Sequence, residues 1–104
     1  MRDDILSLLG LCAKAGKCCS GEFQVEKAVK DGKAFAVIVA GDASDLTKKS
    51  YKDMCSYYKV RLYEYSTKEN LGHCIGKDIR SAVAILDEGF SKGIMKKMNS
   101  VGGK

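Results

Sequence analysis

The sequence predicts a single α/β domain, a three-layer α/β/α sandwich around a small mixed sheet, and three observations lead there. Ala34-Phe35-Ala36-Val37-Ile38-Val39-Ala40 is an unbroken apolar, β-branched run, the pattern of a central strand covered on both faces. Ala82-Val83-Ala84-Ile85-Leu86 is a second run of the same kind. Around and between them lie stretches with apolar residues at helical spacing, and strands separated by helices stack as helix, sheet, helix. No linker, internal repeat or low-complexity core segment interrupts the 104 residues. The expected organisation is one domain over 1–98 with a flexible tail at 99–104.

Each element has its own signals. Asp3 or Asp4 can cap a first helix through Ile5 to Ala13, with Gly16 as its stop. A second helix follows Ser20 and Gly21 and closes at Gly32. At 100° per residue its Val25, Ala28 and Val29 form a stripe facing a core, while Phe23, Lys27 and Lys30 fall on the opposite side. After the 34–40 strand, Ser44 caps a third helix extending to about Tyr58, with Leu46, Met54 and Cys55 among its apolar positions. Val60 to Tyr65 alternates imperfectly and reads as another strand. Ser66-x-x-Glu69 has the form of a capping box and opens a short helix to Gly76. The 82–86 strand precedes a last helix from Phe90 to about Met98, and 101–104 are expected to fray.

Composition narrows the function. The chain is 45% hydrophobic and 30% charged, with a net charge of +5 and a pI near 9.0, which favours an acidic partner such as nucleic acid or a membrane surface. No apolar run approaches the roughly 20 residues that cross a bilayer. Arg2-Asp3-Asp4 places acid where a signal peptide carries basic residues, so a cytoplasmic location is expected. The five cysteines are odd in number and include no C-x-x-C, against a disulfide scaffold, a thioredoxin-like site or a zinc ribbon. Cys12, Cys55 and Cys74 read instead as small buried hydrophobes.

Catalytic signatures are approached and missed. Gly72-His73-Cys74-Ile75-Gly76-Lys77 is one residue short of a phosphate loop, and Asp78 stands where a hydroxyl would hold Mg²⁺. His73 and Cys74 are neighbours on a helix, about 100° apart, and do not form a nucleophile–base pair. Asp42 and Asp45 read as a helix entrance rather than a cation loop. No catalytic residue, cofactor or metal is expected.

The second helix is the informative segment. An exposed Phe23 among Lys27 and Lys30, with the Gln24 amide beside it, suits stacking on a nucleobase and pairing with phosphates or base edges. A solvated face with one stray Phe is the plainer account. Aromatic and basic residues also anchor protein interfaces, so a protein-interaction module using this same basic, Phe23-centred face stays open as the alternative.

Taken in order, Leu8-Leu9-Gly10-Leu11, Ser20-Gly21-Glu22 with Lys27-Ala28, Val37-Ile38-Val39-Ala40-Gly41-Asp42-Ala43 and Leu71-Gly72-x-x-x-Gly76 resemble the L-seven-Ae family of ribosomal proteins that bind kink-turn RNA, and more narrowly its bacterial YlxQ-type branch. The similarity runs from about Leu6 to Phe90. It implies the same three-layer fold, and RNA binding without catalysis. The family's recognition helix begins at a Gly matching Gly21, where the backbone can approach a phosphate. Its Lys matches Lys27, which would reach guanine O6/N7 or phosphate, and Gln24 matches a residue that hydrogen-bonds a base edge. Phe23 stands where the archaeal family has Asn, which replaces hydrogen bonding by stacking or packing on a sugar edge. The family's second contact is a loop matching Lys77-Asp78-Ile79-Arg80, in which Ile79 would cover an extruded nucleotide while Lys77 and Arg80 supply charge; the archaeal Pro is absent from it. Lys14 and Lys17 are expected phosphate contacts. The expected partner is structured RNA, ribosomal or otherwise, bound by a monomer, with neither DNA nor membrane involved.

Overall fold

The structure is a computed structural model that describes residues 3–102, with side chains to 100. Helix α1 (Asp4–Lys14) starts where Asp3 accepts the Leu6 N–H at 2.9 Å. It ends in a Schellman turn at Gly16, φ 71°, with the Lys17 N–H donating to the Cys12 carbonyl. The chain continues through β1 (Cys18–Ser20), α2 (Glu22–Lys30), β2 (Ala36–Val39), α3 (Asp45–Tyr58), β3 (Arg61–Glu64), α4 (Lys68–Cys74), β4 (Ala82–Ile85) and α5 (Glu88–Gly102).

The sheet has the order β1-β4-β2-β3 and is mixed. Strands β2 and β3 run parallel, with Val37 opposite Leu62; β4 runs antiparallel to both β2 and β1, with Ala84 opposite Val37 on one side and Cys19 on the other. The two central strands are buried at every position, as their unbroken apolar runs require when both faces are covered. Helices α2 and α3 pack together over one face, and α1, α4 and α5 over the other. Ile5, Leu9 and Ile94 fill one helical layer and Val25, Val29 and Cys55 the other, against Val37, Ile38, Val83 and Ile85 of the sheet. Each large aliphatic side chain removed from water this way contributes about 1.5–3 kcal/mol.

Asp3 ties two layers together. One carboxylate oxygen caps α1, and the other accepts the Tyr65 hydroxyl at 2.8 Å, just beyond β3. Asp3→Ala removes both bonds and is expected to cost about 1–2 kcal/mol in urea unfolding with an unchanged m-value. A loss within a few tenths of a kcal/mol would mean that water serves both donors equally well.

The expected architecture is present, with differences of detail that have physical causes. The strand β1 has no sequence signature: three residues, Cys18 to Ser20, show neither alternation nor β-branching, and only the β4 ladder makes them a strand. The cap of α4 is Thr67, which accepts the Asn70 N–H at 3.0 Å, and not Ser66. Ser66 takes a left-handed φ of 64° and gives its carbonyl to the Gly41 N–H, so it closes the preceding turn instead. Leu46 is 80% exposed, although it was expected among the apolar positions of α3. The buried stripe of that helix runs through Tyr51 and Cys55, and five residues of helix put Leu46 about 140° away from Tyr51. Cys12 and Cys55 are buried, while Cys74 is only half-buried. Helix α5 begins two residues before Phe90 and continues through 99–102, where the sequence suggests a tail; 103 and 104 lie outside the described residues.

Candidate nucleic-acid interface

The start of α2 is built on Gly21. Its φ of 92° and ψ of 148° belong to a region essentially restricted to glycine. A Cβ there would meet no atom within 4 Å, so the backbone angle, not crowding, calls for Gly. No side chain caps this helix, which leaves its first-turn N–H groups facing outward at the positive end of the dipole. Phe23 follows, 73% exposed, and Gln24 is exposed beside it. Lys27 and Lys30 are also exposed, as their spacing predicts, but neither is idle: the Lys27 Nζ lies 3.1 Å from Asp31 and the Lys30 Nζ 2.7 Å from Glu26. Such solvent-exposed i,i+4 pairs are worth a few tenths of a kcal/mol and exchange readily for a stronger anion.

The 77–80 loop is held by α4. Gly76, φ 77°, closes a Schellman turn in which its own N–H bonds the His73 carbonyl and the Lys77 N–H bonds the Gly72 carbonyl at 2.8 Å. The loop then folds back over Gly72, so that a Cβ on that glycine would overlap the Asp78 carbonyl oxygen. The Arg80 N–H reaches the Lys68 carbonyl at 3.0 Å, and its guanidinium donates to the Ser20 hydroxyl at 3.1 Å and the Ile79 carbonyl at 2.9 Å. Ile79 is thereby left 62% exposed, with Lys77 and Asp78 exposed on its N-terminal side.

The unforeseen strand β1 joins these two halves. Ser20 pairs with Val83, which sets the beginning of α2 beside the end of the loop. Between them lies a concavity of about 460 Å³ where Gln24 meets Lys77 and Arg80, with Cys18, Cys19 and Ser20 along β1. Gly21, Phe23 and Lys27 stand on the α2 side of this cup, and Asp78 and Ile79 on the loop side. Lys17 is exposed at the turn leading into β1. Lys14 lines a different depression, the groove between α1 and α4 that also exposes Leu11, so it is not part of the cup.

Sequence reasoning did not anticipate the residues of β1. Ser20 stands in the sequence only as the residue before Gly21, yet its hydroxyl accepts a hydrogen bond from the Arg80 guanidinium. The Cys18 thiol is held below its ordinary pKa, chiefly by a hydrogen bond from the Cys12 thiol and further by the nearby Lys77 charge, against the opposing effect of burial. Burial pushes the Cys19 thiol up. The cup therefore combines cationic donors, an amide and polarisable sulfur, flanked by two exposed apolar side chains. It is fitted to hold an anion and present flat or apolar surface to a base, which is the chemistry of structured nucleic acid.

Residues 3–95 match the family model described as the Ribosomal protein L7Ae/L30e/S12e/Gadd45 family. The chain is 38% identical over 92 residues to the RNA-binding protein YlxQ of Bacillus subtilis (strain 168), covering 88% of this chain and 92% of that one. To the RNA-binding protein YlxQ of Enterococcus faecium it is 40% identical over 91 residues, 88% and 87% of the two chains. Among solved structures, a protein of unknown function from Bacillus halodurans C superposes with a TM-score of 0.87 at 38% identity, over 91% of this chain and 96% of that one.

Proposed function

The chain belongs to the Ribosomal protein L7Ae/L30e/S12e/Gadd45 family, and from that premise we propose that it is a non-enzymatic, ribosomal-protein-like RNA-binding protein of the cytoplasm that recognises and stabilises kink-turn RNA as a monomer. The observation that carries the reading is the cup in which Gln24 of α2 meets Lys77 and Arg80 of the following loop. Relatives 38–40% identical over most of the chain are named as RNA-binding proteins, which supports the same class of partner here.

The physics explains why a helix with such a surface needs a bent target. An A-form duplex hides its major groove from side chains. A kink-turn, bent at a bulge followed by tandem G·A pairs, opens access to those pairs and crowds phosphates together. Lys77, Arg80, Lys17 and the first turn of α2 offset that crowding, while Lys27 and Gln24 face the base edges. Phe23 packs against a sugar or base, and Ile79 covers an extruded nucleotide. Lys14, set apart in the α1–α4 groove, contacts the RNA only where a flanking stem runs past α1. A protein that binds only the kinked form shifts the population toward it.

A salt-controlled titration against a kink-turn RNA and a control with its G·A pairs replaced by Watson–Crick pairs tests this. Tight binding to the first alone, weakening as salt rises, is the expected result. Equal, weak binding to both would reduce the surface to generic positive charge.

A further inference from the structure

Helices α2 and α3 leave a second groove on the outer side of their layer, about 540 Å³ in volume, which the cup does not use. Its walls carry apolar side chains that the fold does not cover: Leu46 is 80% exposed and Tyr57 78%, with Met54 half-buried between them. Tyr58 stacks edge-on against Tyr57 with ring centroids 4.9 Å apart. At the floor the Tyr51 hydroxyl is shielded from solvent and has no hydrogen-bond partner among the described residues.

The rim has the wrong sign for RNA. Glu22, Glu26 and Asp53 line the groove against one lining cation, Lys30, among the described residues, in a chain whose net charge is +5. Glu26 and Asp53 are held only by exposed i,i+4 lysines, Lys30 and Lys49, and Glu22 makes no ion pair among the described residues. Carboxylates placed around an apolar trough repel phosphate and attract Lys or Arg. A trough between two helices accepts an amphipathic helix laid along it, with apolar anchors inward.

We infer that the α2–α3 groove docks a basic amphipathic helix of a protein partner, leaving the Phe23 side of α2 free. Helix α2 then has two occupants on its two sides: an anionic one toward Lys27 and a cationic one toward Glu22 and Glu26. A second copy of this chain, offering its own Phe23 surface to the groove, would form a head-to-tail contact and would cover that side of α2.

The inference stands independently of the RNA reading and is tested without RNA. The ¹⁵N-labelled full chain is titrated with a synthetic Leu/Lys amphipathic helix of about 18 residues, and separately with its Leu/Glu counterpart. Expected are shifts centred on Leu46, Met54 and Tyr57 with the Lys peptide only. Leu46→Glu and Tyr57→Ala each weaken that binding about tenfold or more, and Phe23→Ala leaves it unchanged. Both sites are exposed, so the spectra of the variants report folding in the same experiment. Three results would each overturn the inference: no shifts in the groove, equal binding of both peptides, or concentration-dependent self-association mapping to Leu46, which would assign the groove to a second copy.

Discussion

Gly72→Ala is expected to destabilise the fold by about 3 kcal/mol, a drop of roughly 15 °C in the unfolding midpoint for a domain of this size. The reason is backbone against backbone. The added methyl would overlap the Asp78 carbonyl, a group that cannot swing aside as a side chain can. Helix propensity argues the other way, since alanine inside a helix is favoured over glycine by about 1 kcal/mol. A glycine in α4 against that preference marks a position where another segment of chain must come close. The comparison variant is Gly76→Ala, four residues on, where the new Cβ meets nothing within 4 Å and only the positive φ of 77° is strained. It is expected to lose about 1 kcal/mol. Circular-dichroism melts of the two separate the explanations: equal losses would mean the loop yields at Asp78 and does not depend on close approach.

The second large effect is on binding. Lys27→Ala is expected to weaken association with a kink-turn RNA by about 1–3 kcal/mol while changing stability by no more than a few tenths of a kcal/mol. The stability side follows from geometry, because the Lys27–Asp31 pair is 61% and 41% exposed. The binding side follows from the proposed contact with guanine or phosphate. Asp31→Asn sharpens the test by releasing the ammonium from its partner at 3.1 Å, and is expected to leave binding equal or slightly stronger. Isothermal titration at one fixed salt concentration reads both variants. Unchanged affinity in Lys27→Ala would remove that residue from the interface.

How much of this was legible beforehand depended on whether the cause was local. The central strands announced themselves, because burial on both faces demands unbroken apolar runs at 36–39 and 82–85. The helix start at Asp3 or Asp4 and the one at Ser44 were readable because a cap is a bond to an N–H three residues on, and the structure gives the first of them to Asp3. Ser66 misled for the same local reason: it stands where a capping box would begin, but the Gly41 N–H claims its carbonyl and Thr67 takes the role. Strand β1 could not be read, since its pairing with residues more than 60 positions away is what makes it a strand. With it went the joint that brings Gln24 beside Arg80. The resemblance to kink-turn proteins named both sides of that joint without showing how they meet. The acidic groove was invisible for another reason: Leu46 and Tyr57 look like ordinary helix hydrophobes until the helix is rotated into place on the sheet.

The borders of the sheet have a consequence for the behaviour of many copies together. One border is β1, three residues long; the other is β3, four residues long, with Arg61 and Glu64 exposed at its ends. A border that short presents few free N–H and C=O groups, and charged termini discourage a neighbour from extending the ladder. Strand-to-strand growth, the usual route from a crowded α/β protein to an insoluble fibre, therefore has little to start from. Whatever association this chain undergoes at high concentration is expected to run through its exposed side chains and not through its sheet edges.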